Sequence, residues 1–203
     1  MPDYVSSEDE INGVIEAGAD IIMLPFFKTV IEVERFVKAV SGRVKCCLLL
    51  ETPEAVAILE DIIAVPGIDM IHLGLNDMHL ALGMKFMFEL LANGSVDKWT
   101  NFIKKKNIPF GFGGIAALDS GAVPGRMILK EHYRLGSQQV IVSRSFCNTD
   151  QVTDINKIRE IFQNGISAIR ALESECKQQT AEYFEQNRKA TKKVIEEFVK
   201  NNR

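Results

Sequence analysis

The stretch Cys46-Cys47-Leu48-Leu49-Leu50-Glu51-Thr52-Pro53-Glu54 runs five apolar residues into an acid and then into a helix start. Such an apolar run reads as a buried parallel strand. Thr52, Pro53 and Glu54 supply an N-cap, a first-turn proline and an early acid for the helix that follows. The pattern recurs once: the apolar run Ile68 to Leu75 ends in Gly74-Leu75-Asn76-Asp77. Glu51 and Asp77 stand 26 residues apart, about one strand-helix-strand repeat. Adjacent strands thus bring two carboxylates to the rim outside their C-terminal ends, where α/β proteins place their chemistry. Taken singly, Asp77 reads as a helix cap and Glu51 as a strand-end acid. As a pair they suit a hard divalent cation, Mg2+ or Mn2+, with positions left for water and substrate.

Working outward, the chain alternates helix and strand. A helix is expected over 8–18, started by Ser6-Ser7 and stopped at Gly18, then a strand over 20–27. Helix 29–40, strand 44–50 and helix 53–64 follow, the last broken by Pro66-Gly67. Strand 70–74 leads to helical stretches over 77–92 and 95–106, separated by Asn93-Gly94. Strand 108–112 runs into Gly113-Gly114, and helix 124–135 precedes strand 139–143. Five parallel βα units result, whereas a closed eight-unit barrel needs roughly 240 residues. The residues alone leave two architectures open, an open doubly wound sheet and part of a barrel.

Composition places the chain among ordinary globular enzymes. It has 203 residues, 46% hydrophobic and 25% charged, with a net charge of -3. That charge gives no electrostatic reason to expect nucleic acid or an anionic membrane as a partner. No apolar run reaches the roughly 18 residues of a spanning helix, and Met1-Pro2-Asp3-Tyr4 lacks the basic-then-apolar layout of a leader. The expected location is the cytoplasm. Cys46, Cys47, Cys147 and Cys176 lack metal-site spacing and read as packed thiols, with Cys147 near a strand end as the one candidate nucleophile. His72 reads as a core histidine, His79 as either near the site mouth or on a helix surface, and His132 as solvent-facing.

The stretch from Leu48 through Glu51-Thr52-Pro53-Glu54, Val65-Pro66-Gly67-Ile68-Asp69 and Gly74-Leu75-Asn76-Asp77-Met78 to Leu82-Gly83 resembles the hydroxy-oxo-acid aldolase and citrate lyase β-subunit family. That family is a branch of the phosphoenolpyruvate/pyruvate barrel superfamily, and the resemblance extends over roughly residues 8 to 148. Leu75-Asn76 stands where the family pattern has Pro-Ser. The resemblance implies a partial (β/α)8 barrel of about five parallel βα units with a long C-terminal helical extension. It implies that Glu51 and Asp77 hold Mg2+ or Mn2+, and that Gly74, Leu75 and Asn76 face the carboxylate of a 2-oxo acid. The implied reaction is carbon-carbon lysis through a pyruvate-like enolate, on a 2-oxo acid or acyl-CoA substrate. The family's histidine base and arginine come from earlier strands, and nothing before Ser6 supplies them, so those catalytic residues are expected outside this chain. The rival expectation is a non-catalytic barrel half that binds a partner chain.

Two more features complete the expectations. Gly113, Gly114 and Arg144 lie at the ends of the last two strands, where barrels often hold a phosphate or a second carboxylate. Residues 1–150 are read as the partial barrel and 151–203 as helices. The first of these carries an apolar stripe at Ile155, Ile158, Phe162, Ile166, Ile169 and Leu172, interrupted by Gly165, and should close the barrel. The second, with Phe184, Thr191, Val194, Ile195, Phe198 and Val199, has no evident core in cis. The resemblance favours its docking on another copy of the chain, giving a homo-oligomer.

Overall fold

A computed structural model describes residues 4–202, with side chains from Ser7 onward. Met1-Pro2-Asp3 of the leader reading lie outside the described residues. Five parallel strands alternate with helices: β1 (Ile21–Leu24), β2 (Lys45–Leu50), β3 (Met70–Leu73), β4 (Phe110–Ile115) and β5 (Gln139–Val142). The strand order is β1-β2-β3-β4-β5. A doubly wound sheet reverses its order at a switch point, whereas this consecutive order is the winding of a barrel. The fold is therefore a partial α/β barrel with a long C-terminal helix, as the family pattern implied.

The helices are α1 (Tyr4–Glu16), α2 (Val30–Val40), α3 (Pro53–Ala57), α4 (Leu59–Ile62), α5 (Leu75–Ala81), α6 (Glu89–Ala92), α7 (Ser95–Lys105), α8 (Gly125–Leu135), α9 (Ile155–Cys176) and α10 (Ala181–Asn201). Several differ from the sequence expectation for local reasons. The first helix begins at Tyr4, before Ser6-Ser7, and ends at Glu16. The expected helix over 53–64 breaks at Ile58, whose φ of -117° and ψ of 26° leave the helical region. β1 stops at Leu24 because Pro25 and a left-handed Phe26 follow. β4 runs past the expected end and takes in Gly113 and Gly114. A Cβ at Gly114 would lie 3.4 Å from Ser143 Cβ and 3.5 Å from the Ile141 carbonyl, so this glycine gives close strand packing rather than a turn.

The chain forms two compact units, one running to Met87 and including Val96–Gly111, the other made of Phe88–Ser95 and the chain from Phe112 onward. In the first unit β1 and β2 pair in register from Ile21 with Lys45 to Leu24 with Leu48, and β2 meets β3 from Cys47 with Met70 to Leu50 with Leu73. This pairing brings the strand ends at Glu51 and Gly74 side by side. The core is Val33, Phe36 and Val40 of α2 with Leu48, Leu50, Ile62, Ile71, Leu73 and Ile103. α2 starts with a reciprocal capping box, Thr29 accepting from the Glu32 amide while Glu32 accepts from that of Thr29. β1 is a terminal strand, and its Ile21 is 46% exposed.

In the second unit Gly165 does not break its helix: α9 continues through it from Ile155 to Cys176. A Cβ there would collide with Phe146 Cζ, so the glycine makes room for that buried ring. Phe146 in turn packs 5.4 Å from Phe162 of the same helix. α10, expected to lack a core in cis, packs on α8 and α6 with Thr191 and Ile195 buried. Asn187 donates to the Met127 carbonyl (3.0 Å) and to Glu131 Oε1 (2.8 Å), fixing α10 to α8. His132, expected to face solvent, is buried and stacks on Phe112 with centroids 3.8 Å apart. Its Nδ1 lies 2.8 Å from Ser137 Oγ.

Candidate metal centre

Glu51 follows β2 directly in a buried position, 3% exposed. Its Oε1 accepts the Phe26 amide at 3.0 Å. Its Oε2 lies on the side of Gly74, where an added Cβ would meet it at 2.8 Å and Glu51 Cβ at 2.7 Å. Gly74 thus owes its identity to the approach of this carboxylate, not to its backbone angle, since its φ is an ordinary -79°. The next strand end supplies Asp77, half-buried in the first turn of α5.

Burial pushes the Glu51 carboxyl above its usual range, the Phe26 amide opposes that rise, and the negative charge of Asp77 adds to it. The charge of Asp77 thus reaches Glu51 from the neighbouring strand end. A consequence follows for the metal-free protein. Because the folded-state value is raised, the ionised carboxylate costs stability, and that cost appears as pH climbs from the ordinary value of 4.5 through the raised one. In EDTA, Glu51→Gln should melt above wild type at pH 7, with the difference shrinking toward pH 4. Thermal unfolding across pH measures this, and a pH-independent difference would show that the carboxylate carries no such penalty.

The other residues expected at the rim occupy varied settings. Leu75 buries its side chain, so only its backbone can face a ligand, whereas Asn76 is exposed. In the second unit Gly113 has a left-handed φ of 54° near the end of β4, Gly114 packs on Ser143, and Arg144 is exposed in a 3-10 turn after β5. His72 is buried in β3 as expected. His79 is also buried, on α5, with Nδ1 3.3 Å from the Leu75 carbonyl. All four cysteines are buried free thiols, and desolvation pushes Cys46 and Cys47 up to about 11, well away from a reactive thiolate.

Sequence reasoning missed the loop that enters this site from β1. Phe26 holds a left-handed φ of 51° and its amide reaches Glu51, while Thr52 Oγ1 donates to the Phe27 carbonyl at 2.7 Å. Leu24-Pro25-Phe26-Phe27 contains no glycine, so nothing in the sequence marks a positive φ there. Among the described residues no cluster of three His, Cys, Asp or Glu side chains is assembled, and no helix is long and apolar enough to cross a membrane.

Residues 3–89 match the family model described as HpcH/HpaI aldolase/citrate lyase, a shorter span than the expected 8 to 148. Similar solved structures include a HpcH/HpaI aldolase/citrate lyase family protein from Burkholderia cenocepacia J2315, at 15% identity and a TM-score of 0.58, covering 75% of this chain and 70% of that one. The HpcH/HpaI aldolase from Desulfitobacterium hafniense DCB-2 gives 16% identity and 0.57, covering 75% and 69%. The citrate synthase SbnG gives 18% and 0.57, covering 75% and 68%. Comparison with curated protein sequences gives no match. At such identities the structural likeness carries the fold, while the family model covers the stretch containing Glu51, Gly74 and Asp77. The resemblance read from those two strand ends thus names the same family whose model residues 3–89 match, HpcH/HpaI aldolase/citrate lyase.

Proposed function

We propose that the protein is a divalent-metal-dependent carbon-carbon lyase of the aldolase or citrate lyase type, acting on a 2-oxo acid or a related acyl adduct. The observation that supports it best is the coupled pair: Glu51, buried with one oxygen turned to Gly74, raised in pKa by burial and by the charge of Asp77. Two such carboxylates fit Mg2+ or Mn2+ by the hardness of their oxygens. They would hold the cation in part, leaving positions for water and substrate. When bound, the metal supplies Lewis-acid stabilisation for the negative charge of a pyruvate-like enolate.

The chain's own residues bind and orient. Glu51 and Asp77 hold the cation from adjacent strand ends, and the backbone at Gly74, Leu75 and Asn76 faces the substrate carboxylate. Gly113, Gly114 and Arg144, in the second unit, suit an anionic group. The reaction also requires a general base and a cationic residue, roles this reading assigns to none of these residues. The protein works in the cytoplasm as a homo-oligomer.

Titration of Mn2+ with and without oxalate tests the reading. Wild type should bind Mn2+ more tightly with oxalate present, and Asp77→Asn should lose affinity by about 10- to 100-fold or more, since even mutating a ligand's outer-shell partner typically costs that much. Equal affinity of wild type and Asp77→Asn overturns it. The terminal strand β1, with Ile21 and Met23 exposed, favours a second reading in which the chain is a non-catalytic half that adds its sheet edge to a partner. Equal affinity together with a stable complex formed along that edge would support it.

A further inference from the structure

Among the described residues three non-glycine positions have a positive φ, and two of them have an evident local reason. Ser41 closes α2 with its amide on the Val37 carbonyl, and Asn107 follows α7 with its amide on the Lys104 carbonyl. Phe26, at φ 51°, closes no helix. The residue is 60% exposed, so packing does not account for a backbone conformation that a bulky side chain resists. What the conformation does accomplish is visible in its amide, which meets Glu51 Oε1 at 3.0 Å.

The loop holding Phe26 is tied residue by residue. The Phe27 carbonyl accepts from Thr52 Oγ1 at 2.7 Å, and the Lys28 and Thr29 amides donate to Glu32 Oε2 at 2.7 and 2.8 Å. The loop is therefore fixed to α2 on one side and to the Glu51-Thr52 strand end on the other. We infer that Phe26 is a positioning residue for Glu51: its strained backbone aims an N–H at Oε1 and thereby presents Oε2 toward Gly74 and the turn that carries Asp77. The inference rests on reading Glu51 as a metal ligand, and it places the orienting group on the neighbouring strand end. Strain of this sort persists where surrounding bonds over-determine it, and here four consecutive residues are bonded.

Two measurements on the full chain separate this inference from the reading beneath it. The first needs no metal: amide hydrogen exchange by NMR should find the Phe26 N–H protected despite the residue's exposure, and Glu51→Ala should abolish that protection. The second is the Mn2+ affinity read by electron paramagnetic resonance. Phe26→Pro removes the N–H and should weaken Mn2+ by about tenfold, the usual loss when an outer-shell partner is removed. Phe26→Gly restores the N–H at a φ that glycine adopts freely and should recover most of that loss. Should Phe26→Pro fail to fold, Thr52→Val releases the Phe27 carbonyl and should weaken Mn2+ in the same direction, with Thr52→Ser recovering it. If wild type binds Mn2+ but the Phe26 amide exchanges freely, or if neither Phe26→Pro nor Thr52→Val changes the affinity, the positioning role fails alone. If the amide is protected and wild type binds no Mn2+, the metal reading fails and the bond is a structural one.

Discussion

Replacing Glu131 by alanine is expected to destabilise the protein by about 3 kcal/mol, the low end of the cost of breaking a buried ion pair. Glu131 is fully buried on α8, with Oε2 2.7 Å from Arg134 Nε and Oε1 accepting from Asn187 of α10. Truncation leaves the Arg134 guanidinium and the Asn187 amide short of an acceptor and opens a cavity between α8 and α10. The Arg134 side chain is 17% exposed and can turn to water, which holds the cost to the low end. Glu131→Gln keeps the shape and an accepting oxygen, so it should cost about 1–2 kcal/mol. Urea denaturation followed by helix content measures both. An alanine variant unfolding at the wild-type midpoint would remove Glu131 from the list of groups that fix α10.

That same glutamate explains why the role of α10 was hidden in the sequence. Its stripe looks weak because the helix is held partly by a polar side chain, Asn187, which a hydrophobic pattern does not count. In the neighbouring stretch Lys130-Glu131-His132-Tyr133, His132 reads as solvent-facing, yet it and Glu131 are both buried. The charge partner, Arg134, is local, but the α10 partner that helps bury Glu131, Asn187, lies 56 residues away and leaves no local signal. By contrast, β2 and β3 are legible because strands covered on both faces need continuous apolar runs, and the acid ending each run stands out against them. The family pattern decided between barrel and doubly wound sheet, and the consecutive strand order agrees with it.

Glycines mark the boundary between what could and could not be read. Gly113-Gly114 and Gly165 look like breaks, and a break is the usual meaning of glycine in a strand or helix. Gly114 and Gly165 instead vacate space for Ser143 and Phe146, side chains far along or across the chain. Phe26 is the converse case, a left-handed position without a glycine, invisible because the bonds that enforce it come from Glu51 and Thr52. Both failures concern contacts between segments, which residue type alone does not encode.

Gly74→Ala should have the largest effect at the site, since it attacks fold and chemistry through one atom. The new Cβ would fall 2.7 Å from Glu51 Cβ, 2.8 Å from Oε2 and 3.3 Å from Leu49 Cδ1. The carboxylate cannot swing aside freely because Oε1 is engaged by Phe26, and Glu51 Cβ is fixed by β2, so either the strand ends separate or Glu51 leaves its rotamer. Overpacking of this kind costs about 1–3 kcal/mol. Backbone strain adds little, because φ at Gly74 is already negative. Mn2+ affinity should fall at least as far as in Asp77→Asn, by about 10- to 100-fold or more, since the displaced ligand is Glu51 itself. A double-mutant cycle assigns the cause. In a Glu51→Ala background the clash with Oε2 is gone, so Gly74→Ala should cost less there than in wild type, with a coupling energy of about 1 kcal/mol or more between the two positions. Additive costs, or wild-type Mn2+ affinity in Gly74→Ala, would mean that Gly74 does not hold the place of Glu51, and the two strand ends would then have no steric link between them.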